Sequence, residues 1–392
     1  VAGVPPASGP MPRVGVSVEM SSGTGGTGGP LSVGGTGGNA LLFGNGGPGG
    51  PGGELATGGA GGLAGLLAGN GGAGGPGGVL GTGGPGGLGG LFGADGTAGA
   101  AGGPATVPLT MSDTDAMMTI SINGGPSVSA IVDTGSAPLL VPRTDVNMTG
   151  LGAPTGHSNA SYGSNSAYST YYYDSYDTTV NLGNGIVAKT SVDVAYRATW
   201  TIVHADGSMT TTPLDISTLT PTLGIGPDAG GTPATVSLPG VLGDGVLINE
   251  PARYFQFGAN PLSAIHSISG APAVTATNDL QISINGGPLQ TTSGAYIDSG
   301  DLNGTIPDNL LAPGAPDGET LPTGTTIAVF TSGGEELYSY TVTGSANAPE
   351  VISSATVSGF PGIFNTGYVP FSLGPIYVAN NPSGVGATVF DY

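Results

Sequence analysis

From residue 104 to the C-terminus, short runs of alternating or continuous apolar residues recur between polar breaks. They include MMTISI (117–122), SVSAIV (127–132), TTVNL (178–182), IVAKTSVDV (186–194), RYFQFG (253–258), LQISI (280–284), TIAVFT (326–331) and LYSYTVTG (337–344). Each is rich in β-branched or aromatic residues and bounded by Gly, Asn, Asp or Pro, so each predicts a strand. One stretch, 237–250 (SLPGVLGDGVLINE), is expected to carry a short helix. Before residue 104 the alternation is missing. Residues 21–103 run in Gly-Gly-X triplets broken by the apolar inserts ALLF, LAGLLA and GLFG, and residues 1–20 are irregular and Pro-rich, read as a linker.

Composition sharpens that division. About half of the chain's 79 glycines fall within 21–103. Paired glycines exclude collagen, whose repeat carries single ones. A calcium-binding β-roll would need a recurrent Asp, yet Glu54 and Asp95 are the only acidic residues there. Phosphate-loop matches in such a composition carry no information. Paired glycines permit extended three-fold strands that approach closely. Ordered polyglycine-type packing is therefore expected, with the inserts forming a small apolar seam; a flexible tether is the alternative.

A heptapeptide, ISINGGP, occurs at Ile120–Pro126 and again at Ile282–Pro288. Each copy reads as a strand running into a turn. After the first comes SVSAIVDTGS, after the second LQTTSGAYIDSGD, so each copy leads to an Asp-(Thr/Ser)-Gly tripeptide, at Asp133 and Asp298. The expected architecture is two lobes, 104–262 and 263–392, with one aspartate apiece. Two carboxylates brought together cannot both ionise and share one proton. One can then act as base on a water while the other polarises a carbonyl.

Charge and residue inventory narrow the function. There are 5 Lys+Arg against 25 Asp+Glu, a net charge of −20, which repels nucleic acid and anionic membranes. Few cations remain to repel one another in acid, so acid tolerance is expected. No cysteine is present, which excludes disulfides and thiol catalysis. No G-x-S-x-G or H-E-x-x-H occurs, and His157, His204 and His266 stand apart, so neither a serine hydrolase nor a zinc enzyme is expected, and no cofactor or metal. No run of 18 apolar residues suggests a transmembrane helix. The chain begins at Val1, which suggests a fragment or processed product.

The tripeptides and their approach strands resemble the two halves of a pepsin-like aspartic protease. The Gly-Gly-X leader, with GGNALLFGNGG, resembles the glycine-rich region of mycobacterial PE_PGRS proteins, a minority of which carry such a domain at the C-terminus. The resemblance implies a mainly β, bilobal fold behind a glycine-rich region, and an aspartic endopeptidase with Asp133 and Asp298 as the catalytic pair. It implies that Thr134 and Ser299 tie the two loops together. Gly135, Gly300 and Ser136 donate to the carboxylates, and Tyr162-Gly163-Ser164 form the flap over the cleft, with Tyr171–Tyr173 the alternative source of its aromatic. Leu223 and Gly224 would thread behind the first loop. Family members usually carry Trp at the position of Leu140, whereas the sole Trp here, Trp200, lies elsewhere, which weakens the anchoring of the flap. They usually carry Thr or Ser at the position of Asp301; a carboxylate there adds negative charge and places the shared proton on Asp298. The second threading segment should lie in IFNTGYVPFSLG, where Asn365-Thr366-Gly367 matches poorly. Protein or peptide substrates, a monomer, and export to the cell surface with envelope association through the glycine-rich region are implied. The competing reading is a surface scaffold or binding module that has lost catalysis.

Overall fold

In the computed structural model, which describes residues 22–164, 166–204, 206–300, 303–311, 318–356, 362–381 and 383–392, the repeated heptapeptide forms the same device twice. The strand Asp115–Ile122 ends at Asn123 and Gly124, with φ of 51° and 64°. Gly125 N–H donates back to the Ile122 carbonyl at 2.8 Å. The strand Gln281–Ile284 ends identically at Asn285 and Gly286, with φ of 51° and 69°, and Gly287 N–H donates to Ile284 at 2.9 Å. Two consecutive left-handed residues define the hairpin turn that Asn-Gly favours, because its twist matches that of the flanking strands.

The chain forms two compact units, Val1–Gly103 and Pro104–Tyr392. The second is mainly β. A nine-stranded sheet contains both Asp115–Ile122 and the following strand Ser127–Asp133. Two four-stranded sheets lie in the C-terminal half. A six-stranded sheet takes Thr106–Pro108, Gly245–Asn249 and Tyr254–Phe257 from one half and His266–Ser269, Ile376–Ala379 and Ala387–Phe390 from the other. It joins the halves around fully buried Phe255 and Phe390.

The helix expected at 237–250 does not form. Gly240–Gly243 makes one 3-10 turn, and Gly245–Asn249 is a buried strand of the six-stranded sheet. Pro239 and three glycines break any helical run, and Val246 and Ile248 suit a pleated surface. Among the described residues the one α-helix is Val369–Leu373.

The strand Gly245–Asn249 delivers a buried carboxyl just beyond its end. Glu250 is 4% exposed, and neither of its oxygens has a hydrogen-bond partner. Burial lifts it from 4.5 to about 8, with Asp115 adding to the rise and Arg253 opposing it. The folded state therefore holds this proton more tightly than the unfolded chain does. Its contribution to stability is full below about pH 4.5, declines above that, and is lost as pH rises through about 8. Across that window the decline is about 1.4 kcal/mol per pH unit. Glu250→Gln should flatten the fall of melting temperature between pH 5 and 8 by one proton's worth; an unchanged slope would contradict this burial effect.

In the first unit, backbone pairs with backbone across the triplets. Gly50 N–H donates to Gly35, Gly59 to Gly50, and Gly75 to Gly59, each at 2.8 Å. A side chain at Gly50 would collide with the Gly26 carbonyl, which is why these strands can approach so closely only as glycine. The inserts stack in register, Leu66 N–H on Leu41 and Leu91 N–H on Leu66, both at 3.1 Å. They do not make the expected apolar seam: Leu41, Leu66 and Leu91 are 72%, 71% and 73% exposed. Glycine layers this tight leave no interior room for leucine, so the side chains turn outward.

Candidate active site

Asp133 closes the strand Ser127–Asp133, whose end is held on one side by Thr222–Gly224 in parallel register, with Val132 opposite Leu223 and Asp133 opposite Gly224. The second aspartate has the matching support. Ala295–Tyr296 runs parallel to Phe364–Asn365, and Asp298 N–H donates to Thr366 Oγ1 at 3.1 Å. Asn365-Thr366-Gly367, unpromising in sequence, therefore occupies the second threading position.

The two loops are cross-bonded. Thr134 Oγ1 donates to the Ile297 carbonyl at 2.8 Å and accepts from Ser299 N–H at 2.8 Å. Ser299 Oγ donates to the Val132 carbonyl at 2.7 Å and accepts from Thr134 N–H at 3.1 Å. All four bonds are buried, and together they fix the separation of the two carboxyls. Asp133 and Asp298 are 5% and 9% exposed and lie within hydrogen-bond reach of each other. The glycines permit the approach: a side chain at Gly135 would strike the Asp298 carboxyl, and one at Gly300 the Asp133 carboxyl.

Each carboxyl accepts from the glycine N–H of its own loop and from one side chain. Gly135 N–H and Ser136 Oγ reach Asp133 at 2.6 Å each. Gly300 N–H and Asn365 Nδ2 reach Asp298 at 2.9 Å each. Burial, and then the negative charge of Asp298, push the Asp133 carboxyl well above the usual carboxylate range. The pair thus retains one proton where isolated carboxylates would have none. Asp301, on which the expected placement of that proton on Asp298 rested, lies outside the described residues.

The pair opens into a cavity of 660 Å³. Tyr162, Gly163 and Ser164 line its far side at the tip of a hairpin formed by Gly156–Gly163 and Ala167–Asn181. Gly163 has φ of 135°, and Ser164 N–H donates to Ala167 at 2.9 Å to close the tip.

The model of the PE-PGRS C-terminal aspartyl peptidase-like domain matches residues 105–388. The chain belongs to this family. PE cleavage protein A of Mycobacterium tuberculosis is 41% identical over 311 residues, covering 73% of this chain and 52% of that protein. PE cleavage protein A of Mycobacterium marinum is also 41% identical, over 309 residues with the same coverage. The chain thus spans about half the length of the curated relatives it matches. Among solved structures, the aspartic proteinase from Irpex lacteus aligns over 73% of this chain and 96% of its own, at 16% identity and a TM-score of 0.47.

Within this PE-PGRS aspartyl peptidase-like domain, the places where the sequence leaves the pepsin-like pattern have structural answers. Leu140 is 1% exposed, packed in the strand Leu139–Pro142 and giving the flap no polar partner. Tyr162 is instead held edge-on by Tyr171, with ring centroids 5.9 Å apart. Burial, then the Asp133 charge, push the Tyr162 phenol upward and keep it protonated. Tyr171 and Tyr173 do not line the cleft; Trp200 does. Sequence reasoning missed Asn365 as a donor to Asp298, and its signal was the NTG segment itself. It also missed Glu350, whose carboxylate meets the flap tip.

Thr134→Val should destabilise this unit by about 1–3 kcal/mol, because it strands the buried Ser299 N–H. Thermal or urea unfolding measures this. A variant as stable as the parent would show that the cross-bonds do not hold the loops.

Proposed function

We propose that this chain is an aspartic endopeptidase. The observation that carries the reading is the buried, cross-bonded Asp133–Asp298 pair, sharing a proton at the floor of a cleft large enough for a peptide. In the reaction, Asp298 takes a proton from a water whose oxygen attacks the scissile carbonyl carbon, and Asp133 gives its proton to the carbonyl oxygen. The resulting gem-diol collapses as Asp298 passes its proton to the leaving nitrogen. The C–N bond breaks, and a diol proton returns to Asp133. One water is consumed, and the pair ends with the single proton it began with. The Ser136 hydroxyl, donating to Asp133, fixes the plane of that carboxyl, and Tyr162 faces the pair from the flap.

The relatives named PE cleavage protein A support proteins as the substrate class. We extend the reading to location: a monomer outside the cell, at the mycobacterial surface, with the glycine-rich unit as its link to the envelope and other surface proteins or its own chain as substrates. The likeness of that unit to PE_PGRS glycine-rich regions supports it. Protease digestion of intact cells should remove the tagged protein, and its survival would argue against a surface location.

A peptide carrying a tetrahedral hydroxyl in place of the scissile carbonyl imitates the gem-diol, and transition-state analogues bind more tightly than substrates. Such a statine-type peptide should stop cleavage of an unfolded protein substrate. It should outcompete the matching ketomethylene peptide at least about 100-fold. Cleavage indifferent to the statine-type peptide would sink the aspartic mechanism, and no cleavage of any substrate would leave a binding module in its place.

A further inference from the structure

The flap tip does not hang free over the cleft. Ser166 Oγ donates to Glu350 Oε1 at 2.6 Å, and Ser164 Oγ points to the same oxygen at 3.5 Å. The two hydroxyls also bond each other at 2.8 Å. Glu350 belongs to the opposite wall. Its strand, Glu350–Ile352, pairs in parallel with Thr305–Pro307 in the sheet that carries Tyr296 and Asn365, and Glu350 N–H donates to the Gly304 carbonyl at 3.1 Å. The carboxylate is therefore positioned by the C-terminal half, whereas its two partners ride on the hairpin tip.

Those partners are neutral. They meet the geometric needs of one carboxylate oxygen and leave its charge uncompensated. The ionisable side chains lining the cavity are Asp133, Asp298, Glu350, Tyr162 and Tyr296, with no Lys, Arg or His among the described lining residues. Three carboxyl groups facing one cleft, in a chain of net charge −20, create a field that draws in a cation. A cation that displaces these hydroxyls finds Glu350 as an acceptor on the cleft wall.

We infer that Glu350 is a specificity residue that selects a lysine or arginine side chain of the substrate, the flap serines occupying that cation's place while the cleft is empty. The inference rests on the endopeptidase reading and adds its substrate class. The strand of Glu350 lies two strands from that of Asn365, roughly 10 Å at normal sheet spacing. An extended substrate advances about 3.3 Å per residue, so the basic side chain falls within about three residues of the scissile bond.

The test uses peptide pairs differing only by lysine or its neutral isostere norleucine, placed in turn at three positions on each side of the cleaved bond. At one position the wild type should favour lysine by about 10- to 100-fold in kcat/KM, the range of a charge-assisted hydrogen bond. Glu350→Gln should reduce that preference to below about threefold at unchanged melting temperature, and Glu350→Lys should transfer it to glutamate. Ser166→Ala should keep it, since the serine only fills the place. Absence of any lysine preference in the wild type, or its persistence in both Glu350 variants, overturns the inference. Should the wild type cleave none of the peptides, the endopeptidase reading fails separately, and anisotropy binding of the same labelled pairs still decides this one. Tighter lysine binding that Glu350→Gln abolishes supports it; equal binding overturns it.

Discussion

Asp133→Asn and Asp298→Asn each lower kcat/KM for a peptide substrate by about 1,000-fold or more, within the range for losing an acid or base acting on the reacting atoms. Asparagine keeps the volume and can still accept from Gly135 N–H or Gly300 N–H, so the loops remain in place. What disappears is proton transfer at one of the two positions that need it. The two groups act as a unit, so the double variant should be no worse than either single one. Stability should not fall in parallel. The Asp298 charge bears on buried Asp133, and an amide at either position relieves that repulsion. Wild-type activity should fall as pH rises far enough to remove the single retained proton. Steady-state hydrolysis with melting curves on the same samples checks all of this. A single variant keeping more than about a tenth of wild-type activity would remove that aspartate from the mechanism.

The parts legible in sequence are those that local chemistry dictates. Asn-Gly at 123–124 and 285–286, set between two strand-forming runs, favours the left-handed pair of a hairpin turn, and Asp-Thr-Gly and Asp-Ser-Gly carry their own N–H donors two residues on. The hidden parts are partnerships set by strand register over long separations. Asn365 donates to Asp298 from 67 residues away, and Ser166 reaches Glu350 across 184. No short window encodes either contact. The misreading of 237–250 has a different cause. A Val-Leu-Ile run fits a buried strand and a short helix alike, and Pro239 with the surrounding glycines was the evidence that should have decided it. Trp200 does not stand at the position of Leu140, yet its strand, Val187–Val203, pairs with Ala167–Asn181 and carries it into the cleft wall.

Asn365→Asp should cost about 10- to 100-fold in kcat and move the whole pH–activity curve to higher pH. Asn365 Nδ2 donates to Asp298 Oδ2 at 2.9 Å, while its Oδ1 accepts from Gly367 N–H at 3.0 Å, so the amide's orientation is fixed by both contacts. On the first aspartate the corresponding donor is the Ser136 hydroxyl, supplied by its own loop; on the second it comes from the threading strand instead. The substitution is close to isosteric and keeps the Gly367 contact. It replaces the donor to Asp298 with an acceptor and brings a third carboxyl against a pair that already cannot ionise fully. Losing a hydrogen bond to a charged group costs about 1.5–3 kcal/mol, which sets the size of the rate effect. The added negative charge disfavours ionisation of the pair, so both limbs of the pH profile shift upward. Asn365→Ser tests the same point from the other side: a shorter donor should leave the pH profile near that of the wild type even where the rate falls. An Asn365→Asp enzyme with an unmoved pH profile would show that Asp298 is oriented by its own loop alone, and that the threading strand contributes packing rather than a proton donor.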